Sequence, residues 1–224
     1  MSLLSHIRLS KKKRNSLEKG EIELLFVRFL CNSDGISIDV GANKGNYSLE
    51  MSKYSKKVYC IEPNLRFNRY LKKMPKNCEI LNHAVTNIKE SLYLHAPIKK
   101  GKPKYNEAFI SVENDINDSE FVSKVSAIEL DKFQDDNVSM IKIDVEGNEM
   151  SVLESGINLI AKQKPNFLIE SLCKEELKAQ IDFFEKNDYV ALKIIRDDLL
   201  FVKDESIFDK CRGVDRNTIF IPNN

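Results

Sequence analysis

The first candidate site is an acid followed by a glycine-containing turn. In the stretch ISIDVGANKGNYS, Asp39 closes an apolar run, and Gly41 and Gly45 follow just before a predicted helix. Such turns often hold phosphate, because glycine permits close backbone approach and the start of a helix offers free N–H groups. A carboxylate repels phosphate, so Asp39 indicates a ligand of a different charge.

Glu62 adds a second feature to this site. It ends the next predicted strand, about 20 residues further on, where an acid accepts hydrogen bonds from ribose hydroxyls. The turn GANKG lacks both the G-x-G-x-x-G pattern of dinucleotide sites and the Gly-Lys-Ser/Thr ending of P-loops. A ribose-bearing ligand that has positive charge and no phosphate is compatible with Asp39, and S-adenosylmethionine has these properties. The alternative is a strand–helix turn with incidental glycines and acids.

Two further acids, Asp144 and Glu146, follow the apolar segment SMIKI. Ligands of doubly wound sheets bind beyond the carboxyl ends of the strands, so these acids should meet Asp39 and Glu62 in one cleft. Four acids repel one another unless cations are present, and clustered carboxylates suit magnesium or calcium. Nothing else in the sequence marks a metal site, so no metal ligand is assigned. Alternatively, Asp144 or Glu146 serves the N–H groups of the following helix.

The elements that must position these acids alternate between strand and helix. The predicted strands of the first part are GISIDV, KVYCIEP, CEILNHAV, SMIKIDVEG and PNFLIES. This alternation predicts an α/β fold with a doubly wound, mostly parallel sheet covered by helices on both faces. YVALKII, LLFV and NTIFIP follow with short links and are therefore predicted as antiparallel closing strands.

The domain organisation follows from the same pattern. Residues 1–33 are predicted as a basic N-terminal arm and helix, and residues 34–224 as the α/β domain. The polar segment 97–122 is predicted as an insertion loop, either a lid or binding loop or a disordered excursion. The N-terminal helix, SLEKGEIELLFVRFL, is expected to be amphipathic. Its apolar face is predicted to contain Ile22, Leu25, Phe26 and Phe29.

Composition narrows the classes of partner. The formal net charge is +1, so the overall field favours neither nucleic acid nor an anionic membrane. No segment approaches the roughly 20 apolar residues of a membrane span. The basic run at residues 11–14 suits contact with an acidic partner or a membrane surface, or a solvated arm. Five dispersed cysteines indicate reduced thiols and a cytoplasmic location, while oligomeric state has no signal in the sequence.

Several of these motifs together resemble the FkbM-type methyltransferases, a Rossmann-like group that uses S-adenosylmethionine. The motifs are IDVGANKGNYS, CIEPN, NHAVTN and IKIDVEGNEMSVLESG followed by PNFLIES, over roughly residues 34–172. The resemblance implies a class I methyltransferase fold and O-methylation of a hydroxyl on a sugar, a surface glycan or another natural product. It implies a cofactor site lined by Asp39, Gly41, Ala42, Asn43, Gly45, Tyr47, Glu62, Asn82 and Asp144.

A sugar hydroxyl is a poor nucleophile while protonated, so a base is expected near the acceptor. Glu146 is predicted in that role and Asp144 at the charged end of the cofactor, with His83 as the next candidate base. Two rival functions are a nucleic-acid methyltransferase and a non-catalytic nucleoside-binding domain. Base-amino methyltransferases usually have an Asn/Asp-Pro-Pro-aromatic turn where this chain has DVEG, and with the balanced charge this favours a small-molecule or glycan acceptor over nucleic acid.

Overall fold

The computed structural model describes residues 22–88, 90–112, 120–195, 198–211 and 215–223. The basic run at residues 11–14, the start of the predicted N-terminal helix and residues 113–119 of the predicted insertion lie outside this part of the chain.

The strands are β1 (Ile36–Val40), β2 (Lys57–Ile61), β3 (Cys78–Leu81), β4 (Ala84–Val85), β5 (Leu92–Lys99), β6 (Lys102–Pro103), β7 (Phe109–Ser111), β8 (Glu120–Val125), β9 (Ala127–Ile128), β10 (Val138–Ile143), β11 (Asn166–Glu170), β12 (Tyr189–Ile195), β13 (Asp198–Val202) and β14 (Asn217–Pro222). The α-helices are α1 (Val27–Leu30), α2 (Asn46–Met51), α3 (Asn68–Leu71), α4 (Glu149–Glu154), α5 (Ile157–Gln163) and α6 (Lys174–Lys186).

An eight-stranded sheet organises the chain, in the order β13-β12-β14-β11-β10-β1-β2-β3. The pairs from β3 to β11 are parallel, and the pairs that join β14, β12 and β13 are antiparallel. The predicted fold class is therefore confirmed, including the antiparallel closing strands. The strand order reverses between β1 and β10, and this is where an open α/β sheet forms a ligand-binding crevice.

Apolar residues cover both faces of this sheet, as expected for parallel strands buried on both sides. On β10, Ile141 and Ile143 pack on one face with Val152 of α4. Met140 points to the opposite face, where it packs with Val27 of α1 and the end of α2. Among the described residues, none of the helices has the length and apolar character that crossing a membrane requires.

The N-terminal helix differs from its prediction. A 3₁₀ turn over Ile22–Leu25 leads into the short helix α1. Val27 and Leu30 are buried, whereas Phe29, predicted on the apolar face, is 66% exposed. A 3₁₀ turn has three residues per turn instead of 3.6, so the following residues are rotated away from the face that a continuous α-helix would bury.

The segment predicted as an insertion loop is structured in its described residues. It contains β6, β7, a 3₁₀ turn over Tyr105–Glu107 and the start of β8. These strands form a second, antiparallel sheet around β5. The prediction of a loop is therefore wrong for these residues. The sequence did not indicate the strands because they are short and only half-buried, so they lack the apolar runs that identify the central strands.

Candidate active site

The glycine turn lies directly against the end of β10. The N–H groups of Gly41 and Ala42 both donate to the carbonyl of Ile61, at 2.9 and 3.0 Å. Gly41 has a φ of +80°, and a Cβ at this position would lie 1.8 Å from the carbonyl oxygen of Asp144. Only glycine therefore permits this contact between the two motifs that the sequence analysis singled out. Gly45, with a φ of +81°, begins α2 in the same left-handed conformation.

Asp39 lies at the base of this turn and is almost completely buried. Ser48 of α2 donates its hydroxyl to Asp39 Oδ2 at 2.5 Å. Burial raises the pKa of Asp39 to about 6, although the hydrogen bond from Ser48 and the charge of Lys142 oppose this shift. A positively charged ligand at this end of the cleft would favour the ionised carboxylate.

Glu62 holds the glycine turn from the end of β2. Its two carboxylate oxygens accept hydrogen bonds from the backbone N–H groups of Asn43 and Asn64, each at 2.8 Å. Burial raises the pKa of Glu62 to about 7, against the effect of these two hydrogen bonds. Each carboxylate oxygen has a second lone pair, so Glu62 can still accept hydrogen bonds from ligand hydroxyls.

The DVEG turn is capped by a different acid from those proposed in the sequence analysis. Glu149 accepts hydrogen bonds from the backbone N–H groups of Val145, at 3.1 Å, and Gly147, at 3.1 Å. Asp144 and Glu146 are thus not needed for this role. Glu146 has a φ of +56°, a strained conformation for a residue with a side chain, and such strain is common at functional sites.

Three carboxylates meet beyond β10 and β11. Ligand atoms of Asp144, Glu146 and Glu170 all lie within 4.8 Å of one another. Three carboxylates at this spacing are a ligand set that a hard divalent cation could use. A cation is one way to relieve their mutual repulsion, and a shared proton is another.

The pKa shifts within this trio favour a shared proton. Burial opposes ionisation of Asp144, but the charge of Lys142 and a hydrogen bond from Glu170 outweigh it, so the pKa of Asp144 lies below its usual value. Burial and the charge of Asp144 raise the pKa of Glu170 to about 8. Burial, followed by the charges of Asp144 and Glu149, raises the pKa of Glu146 to about 7. At neutral pH, Glu170 therefore keeps a proton for Asp144 while Glu146 titrates.

Two cavities adjoin the turn and share Gly41, Asn43 and Asp144 in their walls. The first, which we call the acceptor-side cavity, has a volume of about 270 Å³. It is lined by Val40, Gly41, Asn43, Ile61, Glu62, Pro63, Phe67, His83, Ala84, Val85, Leu94, Tyr105, Ala108, Ile110, Asp144, Val145, Glu146 and Glu170. The second, which we call the turn-side cavity, has a volume of about 300 Å³. It is lined by Asp39, Gly41, Ala42, Asn43, Lys44, Asn46, Tyr47, Lys142 and Asp144.

Most of the predicted site residues thus line one of these two cavities, and Gly45 and Asn82 line neither. Gly45 shapes the turn through its backbone. The side-chain amide of Asn82 exchanges hydrogen bonds with Asn68 and donates to the carbonyl of Glu62 at 3.1 Å, so it connects β3 to the end of β2. His83 lines the acceptor-side cavity, and its buried Nδ1 has no hydrogen-bond partner among the described residues.

Sequence reasoning missed three residues of this site. Glu149 and Glu170 are absent from the predicted site, although an acid at the end of FLIE, on the parallel neighbour of β10, is a signal for Glu170. Lys142 lies in the segment predicted as an apolar strand, yet its side chain is only 1% exposed and lies among the acids. A lysine inside an apolar central strand is itself a signal of a site, because lysine is almost never fully buried unless it is paired.

The sheet order, the switch-point cleft and the glycine turn define the class I methyltransferase architecture. The sequence matches the Methyltransferase FkbM domain family over residues 39–191. The chain therefore belongs to this family. The search among curated proteins found no match.

Two solved structures share the fold. Methyltransferase FkbM from Methylobacillus flagellatus KT superposes with a TM-score of 0.55 at 13% identity, over 85% of this chain and 44% of that chain. An rRNA methylase from Streptococcus thermophilus superposes with a TM-score of 0.50 at 10% identity, over 89% of this chain and 92% of that chain. The chain thus spans less than half of the Methylobacillus protein, and at these identities the likeness concerns the fold alone.

Proposed function

We propose that the chain binds S-adenosylmethionine across the two cavities and methylates a hydroxyl group. Three features support this cofactor. In the acceptor-side cavity, Glu62 presents a buried carboxylate suited to ribose hydroxyls. The orphaned Nδ1 of His83 offers a polar partner in the same cavity. The acids around the turn suit a ligand that carries positive charge.

When bound, S-adenosylmethionine supplies an electrophilic methyl carbon on a positively charged sulfur. The residues of the chain would hold the ligand, orient the acceptor and take a proton from it. Glu146 is best placed to accept that proton, because it lines the acceptor-side cavity and its pKa of about 7 leaves a substantial ionised fraction at neutral pH. Asp144, whose pKa is held low, stays charged and would face the cationic end of the cofactor.

The lining of the acceptor-side cavity carries the acceptor proposal. Besides Glu62 and Asp144, which are assigned to the cofactor, it presents the carboxyl groups of Glu146 and Glu170 together with aromatic and aliphatic side chains. Neither lysine nor arginine is among its lining residues. Carboxylates accept hydrogen bonds from hydroxyls and repel phosphate. We therefore infer an uncharged, hydroxyl-rich acceptor such as a sugar, a surface glycan or another natural product.

A nucleic-acid acceptor is the second candidate, because one structural neighbour is an rRNA methylase. The acidic lining disfavours it, since binding of nucleic acid depends on contacts between cations and phosphates. A nucleoside-binding domain without catalysis is a third candidate.

The five free cysteines support a reducing compartment, the cytoplasm, as the place of action.

The decisive experiment supplies methyl-labelled S-adenosylmethionine with three acceptor pools: neutral glycans, hydroxylated small natural products and total RNA. We expect label and a mass gain of one methyl group in the glycan or natural-product pool, lost in Glu146→Gln. Label only in RNA would replace the proposed acceptor class. Cofactor binding without label in any pool would favour the non-catalytic domain.

A further inference from the structure

Lys142 is a fully buried cation in the wall of the cleft. It lies on the central strand β10 opposite Asp39 of β1, and the register of this parallel pair places both side chains on the same face of the sheet. The side chain is 1% exposed and forms part of the wall of the turn-side cavity. A lysine in such a position needs compensating groups, because an isolated buried ammonium is strongly unfavourable.

The contacts of Lys142 use only part of its hydrogen-bonding capacity. Its Nζ donates to the carbonyl of Ile143 at 3.0 Å and lies 3.5 Å from Asp144 Oδ2. It also lies 5.3 Å from the centre of the Tyr47 ring, which flanks the same cavity. An ammonium has three N–H donors, and no acceptor for the third occurs among the described residues. One donor therefore remains for a ligand.

The charges around the turn-side cavity form a complementary set. Asp39 and Asp144 provide carboxylates, and Lys142 provides a buried ammonium in the same wall. The amino-acid end of S-adenosylmethionine is zwitterionic, with an ammonium and a carboxylate on one carbon. The two acids match the ammonium, and Lys142 is the buried group of the cavity that matches the carboxylate.

We propose that Lys142 binds the α-carboxylate of the methionine moiety and thereby selects ligands that carry it. This inference rests on the proposed use of S-adenosylmethionine. It divides the cleft into two parts, with Glu62 reading the ribose and Lys142 reading the amino-acid end. Lys142 is then a cofactor-binding residue that also keeps the neighbouring acids from repelling one another.

Lys44 is the rival cation, because it lines the same cavity from the glycine turn. Its side chain is exposed, so water screens its charge and a contact with the ligand would contribute little. Lys142 is shielded from water, and a charged hydrogen bond there is worth more. Lys44→Met is therefore the matched control for Lys142→Met, since each removes one cation from the same cavity.

The test measures, by calorimetry, binding of S-adenosylhomocysteine and of 5′-methylthioadenosine, which keeps the adenosine part but lacks the amino-acid end. We expect Lys142→Met to weaken S-adenosylhomocysteine binding by about 10–100-fold, the effect of losing a hydrogen bond between charged groups. Binding of 5′-methylthioadenosine should stay nearly unchanged, which also shows that the variant is folded. Lys44→Met should weaken binding of S-adenosylhomocysteine much less than Lys142→Met does, because water screens the exposed Lys44 charge.

A second comparison uses the unmodified chain and does not depend on a folded variant. Decarboxylated S-adenosylhomocysteine should bind about 10–100-fold more weakly than the intact ligand. The assignment would be overturned if the unmodified chain bound the intact and the decarboxylated ligand equally well. It would also be overturned if Lys142→Met lost affinity equally for S-adenosylhomocysteine and 5′-methylthioadenosine, or if Lys44→Met selectively lost at least as much affinity for S-adenosylhomocysteine as Lys142→Met. If the unmodified chain binds neither S-adenosylhomocysteine nor 5′-methylthioadenosine, the proposed cofactor itself is wrong.

Discussion

Replacing Glu62 by alanine should weaken cofactor binding and also loosen the glycine turn. The two carboxylate oxygens accept backbone N–H groups of Asn43 and Asn64 at 2.8 Å each, and the bond to Asn64 is buried. Leaving a buried donor without a partner costs about 1–3 kcal/mol, so we expect the free energy of unfolding to fall by an amount in this range. Loss of hydrogen bonds from the ribose to a charged group should cost a further 1.5–3 kcal/mol or so in binding.

The assay pairs urea unfolding with calorimetric titration of S-adenosylhomocysteine. The binding loss corresponds to an increase in Kd of about 10–150-fold. Glu79→Ala is a suitable control, because Glu79 lies on the neighbouring strand β3 and is a half-exposed acid paired with Lys57 at the surface. A Glu62→Ala variant that binds the ligand as tightly as the parent would refute the ribose assignment. Unchanged unfolding would refute the bracing role of the two hydrogen bonds.

The raised pKa of Glu62 adds a pH dependence to this prediction. Its value of about 7 in the folded chain lies above the ordinary 4.5, so the stability contributed by the protonated form is lost as the pH rises through that interval. Ribose hydroxyls donate to the ionised carboxylate, so binding favours loss of the proton. Affinity for S-adenosylhomocysteine should therefore increase as the pH rises through about 7, and this part of the increase should vanish in Glu62→Ala.

Three further changes test two positions of the site and one buried acid of the N-terminal 3₁₀ turn. Gly41→Ala should lower the melting temperature and abolish ligand binding, because the new Cβ would meet the carbonyl of Asp144. Gly101→Ala is the control, since Gly101 has a similar positive φ but open space around it, and it should lower the melting temperature only slightly. Equal effects of the two changes would contradict the packing of Gly41 against Asp144. Glu146→Gln should lower the single-turnover rate of methyl transfer about 10²–10⁴-fold, with little change in the Kd of the cofactor. In the parent this rate should rise as the pH passes through about 7, and the variant should lack that rise. An unchanged rate would exclude Glu146 as the base. Burial raises the pKa of Glu23 to about 7, and its carboxylate has no hydrogen-bond partner from another described residue. Glu23→Gln should therefore raise the free energy of unfolding by about 1–3 kcal/mol above pH 7 and leave it unchanged at pH 4. Urea unfolding at both pH values tests this, and equal gains at the two values would contradict it.

The parallel core was predictable from sequence because its strands are short apolar runs separated by helices. A strand that is buried on both faces does not need alternating polar and apolar residues. β1 and β10 are therefore nearly continuous apolar segments that can be recognised in the sequence. The second sheet around β5 was not predictable in this way. Its strands are short and half-buried, and their pairing joins residues such as His95 and Val122 that are distant in sequence. Phe29 was misplaced because a 3₁₀ turn precedes it, and no residue pattern distinguished that turn from an α-helix.

The candidate site was predictable where it depends on strand ends and less so where it depends on side-chain pairing. Asp39 is the penultimate residue of β1, and Glu62, Asp144 and Glu146 follow apolar strands. Parallel strands bring such ends to one edge of the sheet. The assignment of the helix cap could not be made from spacing alone, since three acids lie near the same turn. Which of them caps it depends on the left-handed conformation of Glu146, which points the N–H groups towards Glu149.

The two sequence motifs are effectively one structural unit, although about one hundred residues separate GANKG from KIDVEG. The backbone of Gly41 touches the carbonyl of Asp144, and Asp144 in turn donates its N–H to the carbonyl of Val40 at 3.0 Å. Asp39, near the end of β1, and Asp144, which follows β10, therefore cannot move apart to relieve repulsion. Lys142, between them, supplies a fixed cation, and a hydrogen bond with Glu170 further stabilises the charge of Asp144. These local compensations let the fold keep a cluster of carboxyl groups at the switch point, where the proposed cofactor would add the complementary charge of its ammonium and its sulfonium.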